Sequence, residues 1–258
     1  MKNETLNLNV PPRLEEKGLG GEAPSTHTNL MFSRIIDFIA PRQCVICGQR
    51  LTLSEKGLCG VCNMQLPRTD HALSPTDNEI VRLLWGQTQV ERGAALFYYN
   101  PATDVARLIH AAKYNDRPDI CETLGEILAK EIITTGFFDG IDVLIPVPLT
   151  RWRQWKRGYN QSELIARGIG NITHLPVETK ALKRYAFSGS QTELNRQQRR
   201  ENVDGVFQLK SPERITGRHI LLVDDILTTG STISACSREL LKATDVQISF
   251  LTLGYTKG

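Results

Sequence analysis

The residues best suited to chemistry lie between Ile220 and Thr232, in the stretch I-L-L-V-D-D-I-L-T-T-G-S-T. The stretch begins with a short apolar run that contains β-branched residues, which is typical of a strand buried on both faces. The run ends in two adjacent acids, Asp224 and Asp225. A turn of small and hydroxyl-bearing residues follows, made of Thr228, Thr229, Gly230, Ser231 and Thr232. Apolar residues then recur at helical spacing, so the unit is a strand, an acidic pair, a turn and an amphipathic helix.

Each residue type in this unit suits a phosphorylated sugar. Gly230 has no Cβ, so the backbone can come close to an anion, and the N–H groups that begin the next helix point toward its charge. The carboxylates of Asp224 and Asp225 can accept two neighbouring ribose hydroxyls or contact the waters of a bound Mg²⁺. The pattern predicts a ribose 5-phosphate site. The simpler alternative is a capped helix with two solvated acids. A nucleotide P-loop is excluded because its spacing and lysine are missing.

The segment from Val223 to Thr232 resembles the phosphoribosyl pyrophosphate (PRPP) motif of the type I phosphoribosyltransferases. This resemblance implies an α/β fold, in which a twisted parallel sheet is flanked by helices and carries a variable hood subdomain. It also implies that Asp224 and Asp225 hold the ribose hydroxyls as the catalytic acid pair. The turn from Thr228 to Thr232 would then hold the 5-phosphate.

A basic segment follows the next buried-looking strand, at 141–147. Its four cations are Arg151, Arg153, Lys156 and Arg157. A basic loop at the carboxyl end of a strand suits pyrophosphate, because arginine forks match phosphate oxygens. The resemblance assigns pyrophosphate binding to Leu149, Thr150, Arg151 and Arg157. The alternative is a solvated loop in which Trp152 and Trp155 pack locally. A helix capped by Asn160 or Ser162 is expected next, with Gly170 as its end.

A second basic segment, at 188–202, begins with glycine and is polar throughout. It fits a mobile flap that closes over an anionic substrate, or equally a plain surface helix. Transferases of the resembling type cover their site with a flexible basic loop. That resemblance favours a flap role for Arg196, Arg199 and Arg200.

Four cysteines form two Cys-x-x-Cys pairs, Cys44 with Cys47 and Cys59 with Cys62, separated by eleven residues. This spacing is typical of a Zn²⁺ site, and four thiolates would close a tetrahedral shell, which makes the metal structural. Two disulfides or a redox pair are the alternatives. The expected cytosolic location disfavours the disulfides, because thiols stay reduced there. The remaining cysteines, Cys121 and Cys236, are far apart in sequence, and Cys236 falls on an apolar helix face.

The chain of 258 residues, with 40% hydrophobic and 23% charged residues and a net charge of +3, is ordinary for a globular protein. No apolar run approaches the ~18 residues of a membrane span, and the first residues do not form a signal peptide, so a cytoplasmic location is expected.

We predict a flexible tail at 1–28, a zinc module with a hood-like segment at 29–90, and a phosphoribosyltransferase-like domain at 91–258. A further strand at 246–253 is expected at or near a sheet edge. His110, beside an apolar stripe, is expected at the surface or in the core.

The order of these motifs is similar to that of the ComF family, which is associated with natural competence. The similarity rests on the four cysteines, P-V-P-L-T-R, R-G-Y-N-Q, Q-T-x-L-x-R and V-D-D-I-x-T-T-G-S-T. It implies a protein that binds Mg²⁺-PRPP, transfers phosphoribose to an unknown acceptor, and releases pyrophosphate during DNA uptake. The alternative is a non-catalytic accessory protein that senses PRPP or binds single-stranded DNA by stacking and charge. Partners from the competence machinery are expected in either case.

Overall fold

The computed structural model describes residues 41–114, 117–185 and 205–257. One compact unit begins at Arg42. Its strands are β1 (Gly93–Tyr98), β2 (Val143–Pro146), β3 (Leu182–Arg184), β4 (Phe207–Leu209), β5 (His219–Leu227) and β6 (Gln247–Tyr255). Its α-helices are α1 (Gly60–Gln65), α2 (Glu79–Leu84), α3 (Asp104–Tyr114), α4 (Pro118–Ile132), α5 (Arg151–Arg157), α6 (Gln161–Thr173) and α7 (Ser231–Leu240). Short 3₁₀ turns lie at His71–Leu73, Ile133–Thr135 and Pro212–Arg214.

A four-stranded sheet in the order β1-β6-β5-β2 forms the centre of the described chain, and its neighbouring strands are all parallel. β3 and β4 form a separate antiparallel pair. The predicted fold class, a parallel sheet flanked by helices, is confirmed. Because all four strands run the same way, their carboxyl ends meet at one edge of the sheet.

The last strand was expected at or near a sheet edge, and β6 lies one position in from the edge, between β1 and β5. Its residues are buried from Ile248 to Tyr255, and it forms backbone pairs on both sides. Chain order does not fix order within a sheet. Here β1, the first strand of the described chain, is the edge strand, and β6, the last one, lies beside it.

Side chains of β5 alternate between two apolar cores. Leu221 and Val223 join the core that includes α3, α4 and α6. Ile220 and Leu222 join the core that includes α2, α7 and the β3–β4 pair. All four side chains are fully buried. The sheet is therefore a middle layer with apolar contacts on both faces, which explains its near-continuous apolar sequence.

The helices α4 and α6 approach closely because glycines face the partner helix. A Cβ on Gly125 would lie 2.2 Å from the Ile165 carbonyl oxygen, and one on Gly168 would lie 2.0 Å from the Glu122 carbonyl oxygen. The expected stop at Gly170 is wrong: α6 continues to Thr173 and ends at His174, whose φ is 61°. At Gly170 the small residue makes room for the returning chain, since an added Cβ would lie 2.9 Å from the Leu175 carbonyl oxygen.

The cysteine-bearing segment shares the core of the helical layer. Cys44, Leu58 and Cys62 belong to the same buried cluster as α4, and a Cβ on Gly57 would lie 3.3 Å from Ile120 Cγ1. Of the two lone cysteines, both Cys121 and Cys236 are fully buried, as core positions would be. Within the described ranges, no helix is both long enough and apolar enough to cross a membrane.

Candidate functional site at the carboxyl edge of the sheet

The acidic pair lies at the carboxyl end of β5, one of the two interior strands. Asp224 is half-buried, and its Oδ1 accepts hydrogen bonds from the Asp225 N–H (2.9 Å) and from the Ser162 hydroxyl (3.0 Å). Ser162 sits in the first turn of α6, and Asn160 caps that helix by accepting from the Ser162 N–H (3.2 Å). The Asn160 amide also donates to the Val147 carbonyl after β2 (3.1 Å). This network joins the ends of two neighbouring strands.

The environment of Asp224 disfavours its ionised form. Burial and the neighbouring charge of Asp225 raise the pKa of Asp224 to about 7, and they outweigh its hydrogen bonds and the charge of Lys113. Two adjacent carboxyl groups in a half-buried site do not ionise independently. The folded chain therefore holds the proton of Asp224 up to a higher pH than an unfolded chain does.

Asp225 is paired with a lysine that the sequence analysis did not single out. The Lys113 Nζ lies 2.7 Å from Asp225 Oδ2, and both side chains are about one-fifth exposed, at 20% and 19%. Lys113 is in the last turn of α3. The only sequence signal for this contact was the position of Lys113 just after the apolar stripe of the helix. A lysine in that position is commonly solvated at the end of a helix.

The hydroxyl-rich turn connects β5 to α7 and is covered by α2. Gly230 has a φ of 77°, and a Cβ there would lie only 2.5 Å from Leu84 Cδ2. Only glycine fits this left-handed, closely packed position. Thr228 and Thr229 are exposed, whereas the half-buried Ser231 and Thr232 begin α7. The first N–H groups of a helix have no partner within it, so they face outward here as donors.

The basic segment after β2 is helical where the sequence analysis expected a loop. Thr150 caps α5 by accepting from the Arg153 N–H (3.3 Å), and Gly158 ends it with a φ of 79°. Leu149 and Thr150 follow β2 after two residues and are half-buried, whereas Arg151 is exposed. The Arg157 guanidinium donates to Gln161 Oε1 (3.0 Å), so part of its role is to support the start of α6.

Two tryptophans of α5 are far more exposed than local packing would leave them. Trp152 is 63% exposed and Trp155 is 83% exposed. The Lys156 Nζ lies 5.3 Å from the centre of the Trp152 ring, within cation–π range. The described helix therefore presents aromatic faces and cations to solvent together.

Arg184, on β3, is a further cation near the acidic pair that the sequence did not indicate. Its guanidinium carbon lies 5.1 Å from the centre of the Phe207 ring, and its buried Nε has no hydrogen-bond partner among the described residues. Burial and the nearby charge of Arg153 lower the pKa of Arg184, while Cys236 and Asp224 act in the opposite direction. A half-buried guanidinium beside another arginine is suited to an anion. The segment L-K-R-Y is too short and ordinary to predict this.

The remaining predicted site residues lie elsewhere. Arg196, Arg199 and Arg200 fall outside the described residues, so their flap role stays a prediction, as does the tail at 1–28. His110 is exposed and lies on α3.

The four cysteines of the two Cys-x-x-Cys pairs come together at one point. Their sulfur atoms all lie within 4.8 Å of one another, and the Cys47 and Cys59 Sγ atoms are 3.8 Å apart. A tetrahedral zinc with Zn–S bonds of about 2.3 Å separates its sulfurs by about 3.8 Å. Gly48, with a φ of 72°, turns the chain after the first pair. The donor set and its spacing fit one zinc ion.

Local hydrogen bonds help make one of these thiols a ligand. Burial would raise the pKa of the Cys44 thiol, but N–H groups of Cys47, Cys59 and Ile46 outweigh it and lower the pKa to about 7. Burial and the neighbouring sulfurs raise the pKa of the Cys62 thiol. Four crowded thiols do not all lose their protons alone, and a bound cation supplies the missing charge.

Comparison with known proteins places the chain in a family. No family model matches the sequence. The DNA utilization protein YhgH of Escherichia coli O157:H7 is 32% identical over 221 residues, which cover 81% of this chain and 95% of that protein. The chain belongs to the ComF family. Competence protein F of Haemophilus influenzae is 28% identical over 210 residues, covering 78% of this chain and 91% of that protein. Competence protein ComFC of Bacillus subtilis is 30% identical over 112 residues, 43% of each chain.

Solved structures that resemble this ComF-family chain include the allosteric regulatory enzyme of purine biosynthesis. That match has 20% identity, covers 55% of this chain and 29% of that chain, and has a TM-score of 0.37. The adenine phosphoribosyltransferase of Leishmania donovani matches at 12% identity over 62% of this chain and 83% of that chain, with a TM-score of 0.36. Similarity at this level concerns the fold alone.

Replacing Asp224 by asparagine should stabilise the ligand-free protein at pH 8, by about 1–3 kcal/mol in the free energy of unfolding. The folded-state pKa of about 7 lies above the ordinary 3.8. Between these values the unfolded chain loses a proton that the folded chain keeps, so this group lowers wild-type stability as pH rises from about 4 to about 7. Asparagine keeps the Oδ1 acceptor but cannot ionise. Urea unfolding of both proteins between pH 5 and 8 should show a gap that widens with pH; a constant gap would contradict the assignment.

Proposed function

We propose that this ComF-family protein binds Mg²⁺-PRPP and transfers its phosphoribosyl group to an acceptor, with release of pyrophosphate. The observation that carries the proposal is the acidic pair and hydroxyl-rich turn at the end of an interior parallel strand. Ser162 of α6 donates to Asp224, and Asn160, which caps α6, donates to the Val147 carbonyl just after β2. Relatives that bear the names DNA utilization protein and competence protein support a role in DNA uptake or use.

In this proposal the β5 end and the start of α7 hold the ribose 5-phosphate. Asp224 and Asp225 accept hydrogen bonds from the two ribose hydroxyls. The hydroxyl groups of Thr228, Thr229, Ser231 and Thr232 and the first N–H groups of α7 donate to the phosphate oxygens. Gly230 allows the phosphate to approach the backbone, because no Cβ fills that space.

The β2 end holds the pyrophosphate. The backbone at Leu149 and Thr150 and the guanidinium of Arg151 face the leaving group, and Arg157 fixes the start of α6 while adding positive charge. The half-buried Arg184 supplies a further cation on the side of β3. Arg196, Arg199 and Arg200 would close over the same group from the segment outside the described residues.

The reaction breaks the bond between C1 of the ribose and the pyrophosphate oxygen. The bonding electrons leave with pyrophosphate, and a lone pair of the acceptor forms the new bond to C1 through an oxocarbenium-like state. The arginines stabilise the charge that grows on the leaving group, and the two aspartates fix the sugar while C1 becomes positive. Mg²⁺ bound with PRPP would neutralise part of the pyrophosphate charge, with the carboxylates of Asp224 and Asp225 near its waters.

Calorimetric titration of the zinc-loaded protein with Mg²⁺-PRPP tests the proposal. We expect saturable binding that is lost, by about a hundredfold or more, in the Asp224→Asn, Asp225→Asn double variant, because two charge-assisted acceptors disappear. The Asp104→Asn, Asp119→Asn double variant, which removes two surface carboxylates, should bind like the wild type. Absence of wild-type binding would overturn the transferase mechanism.

A second function is favoured by one observation, the exposed aromatic and basic surface of α5 and β3. Trp152, Trp155 and Tyr185 are 63%, 83% and 44% exposed, and the Lys210 Nζ lies 5.1 Å from the centre of the Tyr185 ring. Stacking of bases on exposed rings between cations is how proteins bind single strands without reading sequence. In this alternative the protein is a PRPP-sensing or single-stranded DNA-binding accessory of DNA uptake.

Replacing both Trp152 and Trp155 by alanine should weaken binding of a single-stranded oligonucleotide by about tenfold or more, since each stacked base contributes about 1–3 kcal/mol. Fluorescence anisotropy at several salt concentrations provides the measurement, and wild-type affinity should fall steeply as salt rises. Trp85→Ala serves as the control, because that side chain is equally exposed, at 64%, but lies next to α2. Equal losses in the control and the double variant, or a flat salt profile, would count against this function.

We also propose that Cys44, Cys47, Cys59 and Cys62 hold one structural Zn²⁺. Four thiolates leave no open position for substrate, so the metal would stabilise the segment and take no part in the chemistry. The shared core between this segment and α4 means that its stability supports the helical layer as well.

Metal analysis should find about one zinc per chain in the wild type. Cys47→Ser should lose most of the zinc and lower the melting temperature, since three thiolates cannot complete the shell. Cys236→Ala, which alters a buried thiol away from the cluster, should keep its zinc. Full zinc content in Cys47→Ser would rule out the four-cysteine assignment.

A further inference from the structure

The ion pair between Lys113 and Asp225 places a cation directly at the proposed ribose site. The two atoms are 2.7 Å apart, and neither side chain is more than about one-fifth exposed. Some ion pairs of the described surface are much more open; Arg107 and Asp104, for instance, are 67% and 48% exposed. Exposed ion pairs contribute little to stability because water screens them, whereas a half-buried ion pair fixes its two side chains more firmly.

Lys113 is held in place by contacts that reach the other half of the site. The carbonyl oxygen of its neighbour, Ala112, accepts hydrogen bonds from the Tyr159 hydroxyl (2.7 Å) and from the Cys121 thiol (3.5 Å). Tyr159 directly precedes Asn160, which caps α6 and reaches the end of β2. The end of α3 is thus tied to the same R-G-Y-N-Q segment that places Ser162 against Asp224.

The acidic pair needs a nearby cation for electrostatic reasons. Asp224 and Asp225 are consecutive and half-buried, and burial together with the charge of Asp225 raises the pKa of Asp224. Asp224 receives hydrogen bonds from Ser162 and from the backbone, whereas the charge partner that the structure gives Asp225 is Lys113. An aspartate that accepts a sugar hydroxyl has to be correctly oriented toward it.

We propose that Lys113 is the positioning residue of Asp225 in PRPP recognition. Its ammonium group fixes one carboxylate oxygen, Oδ2, so that the other oxygen is oriented to accept a ribose hydroxyl. Lys113 acts through Asp225 and does not itself bind the phosphates. This inference rests on the proposed function, because it concerns the ribose half of the same site.

Three probes separate a positioning role of Lys113 from direct binding of the phosphates. They are Mg²⁺-PRPP, ribose 5-phosphate and Mg²⁺-pyrophosphate, and calorimetry gives a dissociation constant for each. Lys113→Met, which keeps the side-chain length and removes the charge, should weaken both ribose-containing probes by about tenfold. Its affinity for pyrophosphate should not change. Lys113→Arg should recover most of the loss, and Lys130→Met, which removes a lysine paired with Glu126 on α4 (3.6 Å), should bind all three like the wild type.

The double variant Lys113→Met, Asp225→Asn tests whether the lysine acts through the aspartate. Affinity for PRPP in the double variant should equal that of Asp225→Asn alone, because the group that Lys113 positions is already gone. Additive losses, an equal loss for pyrophosphate, unchanged binding or tighter binding in Lys113→Met would each overturn the positioning role. If the wild type binds none of the probes, the proposed function itself fails, which is a different result from a change between variants.

Discussion

The structure depends on one strand that is buried on both faces and hydrogen-bonded on both sides. From Ile220 to Val223, every side chain of β5 is fully buried, and each such side chain contributes about 1.5–3 kcal/mol through the hydrophobic effect. β6 and β2 fix its backbone from either side. This anchoring allows the same strand to carry two acids near its carboxyl end that would be unfavourable in a less constrained place.

Charges around those acids are matched only in part, and this is where the chemistry is proposed. Asp225 has Lys113, whereas Asp224 has hydrogen bonds and a raised pKa, and the buried Nε of Arg184 has no hydrogen-bond partner among the described residues. Well-packed proteins satisfy their buried polar groups almost completely, so local departures point to a ligand that completes them. A ligand with hydroxyl groups on one side and phosphates on the other would meet these needs together.

Elements before β1 contribute to the site from a distance. Helix α2 lies over the turn at Gly230, and the cysteine segment packs on α4 in the helical layer. A small segment with few apolar residues cannot form a core of its own, so it depends on a larger neighbouring core, and the proposed zinc would stabilise it further. The N-terminal part of the described chain is thereby part of the site's framework.

The sequence by itself determined the chemistry of separate segments. The run ending in Asp224 and Asp225, the turn at Gly230 and the paired cysteines each carry their signal in residue types and local spacing, because glycine, thiolates and adjacent acids have narrow uses. The fold class followed as well, because the resemblance of the Val223–Thr232 segment to the PRPP motif implied a parallel sheet flanked by helices.

Only the tertiary structure decided which distant residues meet. Local spacing gives no information on the order of strands, so it could not place β6 between β1 and β5. Local spacing also does not predict that Lys113 meets Asp225, that Ser162 meets Asp224, or that Arg184 lies at the carboxyl edge of the sheet. These contacts join segments separated by up to 112 residues. Their geometry arises from the packing of helices on both faces of the sheet, and packing depends on the whole chain at once.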